Sequence, residues 1–570
     1  MSYDIRALAQ QLDADKDGRL PDLAWIERST REPEAFWDDF GAALRAAPGP
    51  RPRSRPGERF DLYHDLVTRH LGAPARPALR WYERPRGFQE LSYGELHARV
   101  GRKAGEWAAQ EIKTGDVLVI VLHPGPAWLV ALLAALRMGL VVSWLPPLGD
   151  LFLARRLAAL PPSRRVVTEE VYLSMLAGCE GIVLQDSDYA PAYPDRAHTY
   201  APDEPCGALF SPLYDPPSSP RPLRADAAFL AAARDGLLAH RLEPGDLLAA
   251  PGFHPLQHQP ALVFTALLAG ATWLEISEEE LVAEPGLLTK FPLRSLGVSV
   301  PVRDALLQSK PGALSSVAHW FRDIEGPLDS EVFRRFVAEL GLGDTPASSL
   351  LVDATLGGCA LQSVRRRAAD WRLLPAPGQP YALYDVVSRK EAAGAHGLFA
   401  PRPEAKPTLV GHAMVSRSGP ELAYGGTAAP RREGRVYSAD EVVEVVSGLP
   451  FCAGSFVIPL AAGGVTGGYL FTLCVFTGAE TSEDVAKKQG ERDALIEQEI
   501  TRRLGRESLP DRTEYYPLYP RLVKGAVDRG WCESQHRMGL LARKSAEPMF
   551  QALTALRRRA MIETLTEKRS

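Results

Sequence analysis

From about residue 58 to residue 430, short apolar runs alternate with segments of helical periodicity. The apolar runs include VLVIVL, LLAAPGF and SLLVDATL, and the helical segments include PAWLVALLAALRMG and DSEVFRRFVAELG. Strands that alternate with amphipathic helices pack as layers, so this pattern predicts an α/β fold. Because a chain of 570 residues is too long for one hydrophobic core, two or three domains are expected.

The pattern changes at both ends of this segment, which predicts three parts. Residues 1–57 hold a short helical pattern and the Pro/Arg-rich linker AAPGPRPRSRPG, so they are expected to form an N-terminal extension. Residues 58–430 form the large domain. Residues 431–570 contain one helix, strand-like runs, a long helix and a terminal helix, which predicts a small α+β lid domain. Gly434 is the candidate hinge.

Composition excludes several classes of function. The net charge of -4 gives no basic surface for nucleic acid. The six cysteines show no CxxC spacing, so neither a zinc site nor a disulfide framework is expected, and reduced thiols favour a cytoplasmic location. The N-terminus lacks the apolar core of a signal peptide. The most apolar stretch is broken by HPGP at 123–126, which predicts a buried strand and helix rather than a membrane span.

Residues 13–18, with the sequence DADKDG, match the first half of an EF-hand calcium loop. The twelfth position of such a loop needs a bidentate acid, but here it is Ala24, and Pro21 occupies the ninth position. An Asp-rich turn without a metal ion is therefore the favoured interpretation, and no metal site is expected.

The segment LSYGELHARVGRKAGEWAAQEIKTGDVLVIVLHPGPAWLVALLAALRMGLVV resembles the opening of the adenylate-forming superfamily, which includes the acyl-CoA synthetases. That opening has a "TY-x-EL" helix start, a "GD-x-V" turn into a strand, and a helix that ends in glycine. The corresponding positions are Tyr93, Glu95, Leu96, Gly115, Asp116 and Gly139. Gly-Asp is a turn signal before a strand and a glycine commonly caps a helix, so local physical chemistry agrees.

Later segments extend the resemblance in the same order as in the family. PGFHPLQHQPALVFTALLAGATWLEI resembles the "P-x-FH…LL-x-GAT" segment, and GRVYSADEVVEVVSGLP resembles the start of the mobile domain. YPLYPRLVKGAVDRG resembles the terminal "GK-x-x-R" loop. The likeness covers about residues 30–540. It implies an acyl-CoA synthetase-like fold, with a large multi-layer α/β domain and a small mobile α+β domain.

Members of this superfamily join a carboxylate to ATP, which needs a loop whose backbone N–H groups hold pyrophosphate. The resemblance places this loop at residues 209–223, where four prolines lie between 212 and 220 and the family's glycines are absent. Proline has no N–H to donate, so a stiff surface loop without a ligand is favoured. Asp215 adds a repelling charge. The residues that could still touch a phosphate are Ser211, Ser218, Ser219 and Arg221.

The adenine and magnesium motif of the family, "YG-x-TE", corresponds to DATL at 353–356. Thr355 keeps its place, but Leu356 replaces the acid. Asp353 is a candidate substitute, although it would lie on the opposite side of the strand if the chain is extended there.

The ribose motif, "TGD", corresponds to the segment LAYGGTAAPRREG, which has no Asp. Its absence would remove hydrogen bonds to the ribose diol.

Two further candidates come from the same resemblance. If Gly525 and Arg529 are aligned with the "GK-x-x-R" motif, the catalytic lysine position is Ala526, and Lys524 lies two residues earlier. Lys524 could reach a reaction centre from a flexible loop or could be a solvated lysine beside a turn. His254 matches the "FH" pair that lines the acyl pocket, although a lone histidine is more often a packed structural residue.

Four weakened motifs, all concerned with nucleotide chemistry, favour a protein that adenylates weakly or not at all. Such a protein would keep an acyl or aryl ligand pocket, for a carboxylate or thioester, or would bind a carrier or partner protein. The alternative is an active ligase that forms an acyl- or aryl-adenylate and then a thioester. It would use ATP and magnesium with Arg221 and Lys524. A third hypothesis is a changed reaction on an acyl substrate without ATP. Fold likeness cannot choose between them.

Overall fold

The structure is a computed structural model of the 570-residue chain. It describes residues 4–13, 22–46, 50–176, 181–183, 193–310, 314, 316–324, 330–365, 372–392, 394–401, 413–427, 429–462, 468–478 and 480–547.

The helices of the described chain vary from single turns to one long helix in the C-terminal part. In chain order they are α1 (Ile5–Gln11), α2 (Ala24–Arg31), α3 (Pro33–Ala46), α4 (Leu62–Leu66), α5 (Tyr93–Ala109), α6 (Pro126–Met138), α7 (Asp150–Ala158), α8 (Ala225–Arg234), α9 (Pro255–His258), α10 (Ala261–Ala269), α11 (Glu278–Ala283), α12 (Val300–Ser309), α13 (Ser330–Glu339), α14 (Ala439–Ser447), α15 (Ser482–Leu504), α16 (Arg529–Arg537) and α17 (Leu540–Ala546).

The strands are short and most of them lie before residue 430. In chain order they are β1 (Pro77–Glu83), β2 (Gly87–Ser92), β3 (Val117–Val121), β4 (Val141–Leu145), β5 (Arg165–Thr168), β6 (Gly181–Val183), β7 (Pro205–Leu209), β8 (Arg221–Arg224), β9 (Leu247–Ala249), β10 (Thr272–Glu275), β11 (Ser295–Gly297), β12 (His319–Asp323), β13 (Ala347–Asp353), β14 (Gly358–Ser363), β15 (Leu373–Pro375), β16 (Tyr381–Tyr384), β17 (His396–Pro401), β18 (Ala413–Ser418), β19 (Glu421–Thr427), β20 (Gly454–Ala461), β21 (Tyr469–Phe476), β22 (Arg512–Tyr516), β23 (Leu522–Val523) and β24 (Ala526–Val527).

Two sheets build the part of the molecule before residue 430. The larger has the strand order β16-β17-β18-β19-β15-β14-β13-β12-β11-β9-β10-β1-β2, and its parallel core runs from β1 to β13. The second has the order β6-β5-β3-β4-β7-β8, with all pairs parallel except β7 with β8. Helices connect the parallel strands, so the predicted α/β class is confirmed.

The most apolar stretch of the sequence forms a buried β3-α6-β4 unit, as the HPGP interruption predicts. Strand β3 pairs in parallel with β4, and α6 covers them with side chains that are buried from Trp128 to Met138. Gly139 ends α6 in the left-handed conformation at φ 76°, and Gly115 has φ 87° in the turn before β3. At the start of α5, Ser92 and Glu95 form a capping box. In the described part of the chain no helix is both long and apolar enough to cross a bilayer.

The N-terminal residues pack against the large sheet. Phe36 and Phe40 of α3 join an apolar cluster with Leu238 and Leu374. Asp13, the first position of the calcium-like turn, forms ion pairs with the buried Arg365 and, at 2.6 Å, with Arg241. This carboxylate therefore has two cationic partners already. The rest of the turn, including Asp15, Asp17, Gly18 and Pro21, lies outside the described residues.

In the described residues after 430 the strands form sheets of their own, and none of these strands joins the two sheets described above. β20, β21 and β22 form one sheet, and β23 and β24 form a hairpin. This part packs closely on the rest: a Cβ on Gly149, which precedes α7, would lie 2.2 Å from the carbonyl carbon of Arg503 in α15. The terminal helix expected after residue 547 lies outside the described residues. The boundary near 430 stays a prediction.

Candidate functional site

The candidate site lies where β13 ends and beside the segment that joins β7 to β8, residues 210–220, which we call the proline loop. Asp353 is the last residue of β13, and a single 3₁₀ turn follows at Ala354–Leu356. In this turn the chain folds back, so Thr355 Oγ1 lies 3.0 Å from both carboxylate oxygens of Asp353. The chain is therefore not extended after Asp353, so the expectation that Asp353 and position 356 lie on opposite sides of a strand does not apply.

Tyr214 of the proline loop connects Asp353 with Arg221. The Tyr214 hydroxyl donates a hydrogen bond to the Asp353 carboxylate. The Arg221 guanidinium lies over the Tyr214 ring, with Cζ 3.7 Å from the ring centroid, a cation–π contact. Burial raises the pKa of Asp353, and the hydrogen bonds from Tyr214 and Thr355 oppose that shift. The result is a closed cluster in which the loop's cation and the acid of β13 share one aromatic side chain.

Three of the amides that remain in the proline loop donate to oxygens of the loop itself. Of the ten residues 211–220, four are prolines and have no N–H group. The Leu213 amide donates to Ser211 Oγ at 3.3 Å, and the Tyr214 amide donates to the Ser211 carbonyl at 3.4 Å. The Ser219 amide donates to the Pro216 carbonyl at 3.2 Å. These three amides are therefore already engaged and do not point to a common centre outside the loop.

The four candidate residues of the loop lie in two places. Ser211 is 2% exposed and belongs to a buried first half that extends to Tyr214, so the expectation of a surface loop is wrong for this half. Ser218 and Ser219 lie in the more exposed second half. Arg431, which the sequence did not single out, reaches the loop from outside and donates to the Leu213 carbonyl at 3.5 Å.

His254 lies at the N-terminal end of α9, beside the end of β13, and it contacts the C-terminal part. Its Nε2 is 3.3 Å from a carboxylate oxygen of Glu507, and its side chain is 12% exposed. Burial lowers the pKa of His254, so the ring favours the neutral form near pH 7. The side chain packs between the two parts of the molecule.

A second acid, Asp323, is the centre of a buried polar cluster at the end of β12. One of its oxygens accepts from Arg435 Nη2 at 2.8 Å and from Gln257 Nε2 at 3.0 Å, and it lies 3.4 Å from His258 Nε2. The Ile324 amide donates to the other oxygen at 3.0 Å. Burial opposes ionisation of Asp323, but His258 and Arg435 outweigh it and hold its pKa below the usual value.

Arg435 anchors the turn at residues 432–435, which links the parts of the chain before and after residue 430. Arg432 and Arg435 bridge across a tight turn in which Glu433 and Gly434 have φ values of 50° and 76°. Arg435 also donates from Nε to Gln257 Oε1 at 2.6 Å. The hinge candidate Gly434 therefore lies in a turn held by the Asp323 cluster, and any rotation there must break these bonds.

Lys524 lies in a hairpin that is separate from the Tyr214 and Asp323 clusters. It lies with Gly525 at the turn of the β23-β24 hairpin, with φ values of 52° and 83°. All residues from Arg521 to Ala526 are exposed. Within the described chain, no hydrogen bond or ion pair joins Lys524 to the proline loop or to β13. The structure thus brings together Ser211, Arg221, Asp353, Thr355 and the neighbouring His254, but not Lys524.

Sequence reasoning missed Tyr214, Asp323 and Arg435. Tyr214 was visible as the aromatic residue within a proline-rich loop, but nothing local shows that its hydroxyl reaches β13. Asp323 is the last residue of β12, at the carboxyl end of a parallel strand, a position from which side chains often enter sites in α/β folds. Arg435 lies in the charged RREGR segment, which was interpreted only as a hinge.

Comparison with known proteins agrees with this architecture. Residues 68–164 match the family model described as AMP-binding enzyme. Acetyl-coenzyme A synthetase of Caulobacter vibrioides is 33% identical over 146 residues, which are 23% of this chain and 22% of that protein. The match thus spans about a fifth of the relative's length.

Solved structures resemble this chain over most of its length. The o-succinylbenzoate CoA synthetase of Bacillus subtilis, a double mutant bound with its product analogue, has a TM-score of 0.61 at 13% identity and covers 82% of this chain and 98% of its own. The fatty acyl-adenylate ligase of L. pneumophila, in complex with acyl adenylate and pyrophosphate, has a TM-score of 0.62 at 13% identity, with 84% and 96% covered.

Acetoacetyl-CoA synthetase of Streptomyces lividans has a TM-score of 0.59 at 17% identity, with 92% of this chain and 91% of that chain covered. These structural likenesses show the fold, and the segment 68–164 adds a sequence match to the same group of proteins. The chain therefore has an acyl-CoA synthetase-like fold, and its residues 68–164 match the AMP-binding enzyme family.

Proposed function

We propose that this protein does not form adenylates at a useful rate and acts instead through ligand or partner binding on a synthetase fold. The observation that carries the proposal is the Tyr214 cluster. The aromatic side chain binds the acid that would meet magnesium, Asp353, and covers the cation that would meet phosphate, Arg221. Both groups are engaged with the protein itself.

Pyrophosphate does not fit the proline loop well. A loop that holds this anion needs several N–H groups that point to one centre. Four residues of the loop have no such group, and three others donate to the loop's own oxygens. Asp215 adds a negative charge at the same place, so the loop supplies less electrostatic stabilisation than phosphoryl chemistry requires.

Magnesium fits no better. Both oxygens of Asp353 accept from Thr355, and one also accepts from Tyr214. Both oxygens of Asp323 are hydrogen-bonded as well, and Arg435 neutralises its charge. A divalent ion would need to displace these donors, and the guanidinium would repel it. The loss of the acid at Leu356 is therefore not replaced by either neighbour.

The protein retains the synthetase-like fold and its large hydrophobic core. An acyl or aryl carboxylate or thioester, or a carrier or partner protein, are the partners that this fold favours. A cytoplasmic location stays a prediction from the unpaired cysteines, of which Cys206, Cys359, Cys452, Cys474 and Cys532 are free.

The alternative function is an active acyl- or aryl-adenylate ligase with a divergent loop. One observation favours it: in addition to Arg221, which lies over Tyr214, Arg431 places a second guanidinium against the proline loop at the Leu213 carbonyl. Two arginines and Lys524 would supply the cationic charge, with ATP and magnesium as cofactors. A reaction on an acyl substrate without ATP remains a third hypothesis.

ATP–pyrophosphate exchange with a broad panel of carboxylates distinguishes the two functions. We expect no exchange above background for the wild type. If a ligase activity is present, Arg221→Ala and Lys524→Ala should each reduce it by about a hundredfold or more, because each removes a cation that meets developing charge.

The matched control is Lys487→Ala, which removes an exposed lysine from α15. Robust wild-type exchange that both substitutions abolish and the control preserves would establish the ligase and overturn the proposal. Robust exchange that survives both substitutions would also overturn it, and would show in addition that the proline loop is aligned wrongly with the family.

A further inference from the structure

A cavity of about 500 Å³ lies away from the candidate site, and we call it the linker cavity. Its walls come from Pro50 and Pro52 of the Pro/Arg-rich linker, from the segment 69–76, and from α8 and α10. It opens beside the C-terminal end of α8, whereas the proline loop precedes the N-terminal end of that helix. A helix of ten residues is about 15 Å long, so the two features are separate.

Two guanidinium groups line one side of the linker cavity. Arg69 donates to the Leu268 carbonyl at the end of α10 and, from Nε, to His70 Nε2 at 3.3 Å. Arg76 is half-buried, and within the described chain its guanidinium has no hydrogen-bond or ion-pair partner. Gly270 allows this approach, because a Cβ there would lie 3.3 Å from Arg76 Nη1 and 3.0 Å from the His70 ring.

The nearby groups do not balance this positive charge. Asp65 is the carboxylate that acts on Arg69, but its oxygens accept from the amides of Arg53 at 2.7 Å and Ser54 at 2.9 Å. The C-terminal end of α10 contributes only a partial negative charge. Burial, together with the two arginines, lowers the pKa of His70 to about 3, so His70 is neutral near pH 7. The Arg69–Arg76 side is therefore suited to an anion.

The rest of the lining of the linker cavity is mostly apolar. The side chains that form it are Phe229, Ala232, Ala233, Leu237, Leu242 and Leu268. The cavity volume is in the range of pockets that hold small organic molecules, which are typically about 300–1,000 Å³ and mostly apolar with a few polar groups. The linker cavity can therefore accommodate a ligand that has a charged end and an apolar body.

We propose that the linker cavity binds a small amphipathic anion, with a carboxylate or phosphate head at Arg69 and Arg76 and an aliphatic or aryl body against α8 and α10. The proposal does not depend on ATP chemistry, because no residue of the Tyr214 cluster lines the cavity. A ligand of about ten to fifteen non-hydrogen atoms, at roughly 20–30 Å³ each, would occupy part of this volume of about 500 Å³.

Calorimetric titration of the full-length protein with decanoate, decyl phosphate and decanol, below their aggregation concentrations and without nucleotide, tests this site. We expect at least one of the two anions to bind at least tenfold more tightly than decanol. Arg76→Gln should weaken anion binding by about tenfold or more, since it removes a charge-assisted contact. Ala233→Phe should abolish binding by filling the apolar side, and Lys487→Ala should leave it unchanged.

The relative affinities of the two anions identify the head group, and preference for either one supports the proposal. Absence of binding by both anions, or equal binding of decanol and the anions, would overturn it. Unchanged anion binding by Arg76→Gln and Ala233→Phe, with both variants folded by circular dichroism, would overturn it too. Exchange activity with ATP would contradict the proposed function but would leave this result unaffected.

Discussion

Arg435→Ala is expected to lower the free energy of unfolding by about 3–5 kcal/mol, the cost of removing one partner from a buried ion pair. Arg435 is 12% exposed and Asp323 is 1% exposed, so little water can replace the lost guanidinium. The substitution leaves the Asp323 carboxylate with Gln257 and His258 as its side-chain partners. Urea unfolding, followed by fluorescence and circular dichroism, measures the loss.

The control for this prediction is Arg417→Ala, which removes an exposed arginine from β18 and should change stability by no more than about 0.5 kcal/mol. The double variant Arg435→Met, Asp323→Asn should be more stable than Arg435→Met alone, because the uncompensated charge is gone. A loss below about 1 kcal/mol for Arg435→Ala would contradict the role that the Asp323 cluster has in joining the two parts.

The layered α/β fold could be predicted because its evidence is local and repeated. The β3-α6-β4 unit shows how: a turn glycine, a buried apolar strand, a helix-breaking HPGP and a capping glycine each specify their own element. Long helices such as α15 follow from the same periodic pattern. The ordered resemblance to a known family then supplied the arrangement, which periodicity alone does not determine.

The candidate site was only partly predictable, because its contacts join residues far apart in the sequence. Tyr214 and Asp353 are 139 residues apart, and Arg435 and Asp323 are 112 residues apart. The 3₁₀ turn after Asp353 also escaped prediction, since DATLGG is compatible with an extended strand end. Motif comparison identified which groups are missing, but it did not reveal which side chains had taken their places.

Tyr214→Phe is expected to destabilise the protein by about 1–3 kcal/mol, because the buried Asp353 carboxylate loses one of its hydrogen-bond donors and keeps only Thr355. The pKa of Asp353 is raised in the folded protein. Its favourable contribution to the free energy of unfolding is therefore fully present at low pH, and it is lost as the pH rises through the folded-state pKa. Removing the donor raises that pKa further. The loss measured by urea unfolding should therefore be larger at pH 8 than at pH 5.

Tyr519→Phe, at an exposed tyrosine, is the matched control and should be neutral at both pH values. Equal stability of Tyr214→Phe and the wild type at pH 8 would show that the hydroxyl does not support Asp353. A gain in ATP affinity by Tyr214→Phe would instead indicate that Tyr214 is a movable gate, and this would contradict the closed cluster.

The most direct test of the central claim is calorimetric titration of the wild-type protein with ATP and magnesium. Three features predict weak binding: the Tyr214 cluster, the proline loop with three amides that donate within the loop, and the absence of an acid at Leu356. We expect no dissociation constant below about 1 mM, which corresponds to about −4 kcal/mol. A dissociation constant in the low micromolar range would contradict the account, because it would require the loop and Asp353 to release their present partners.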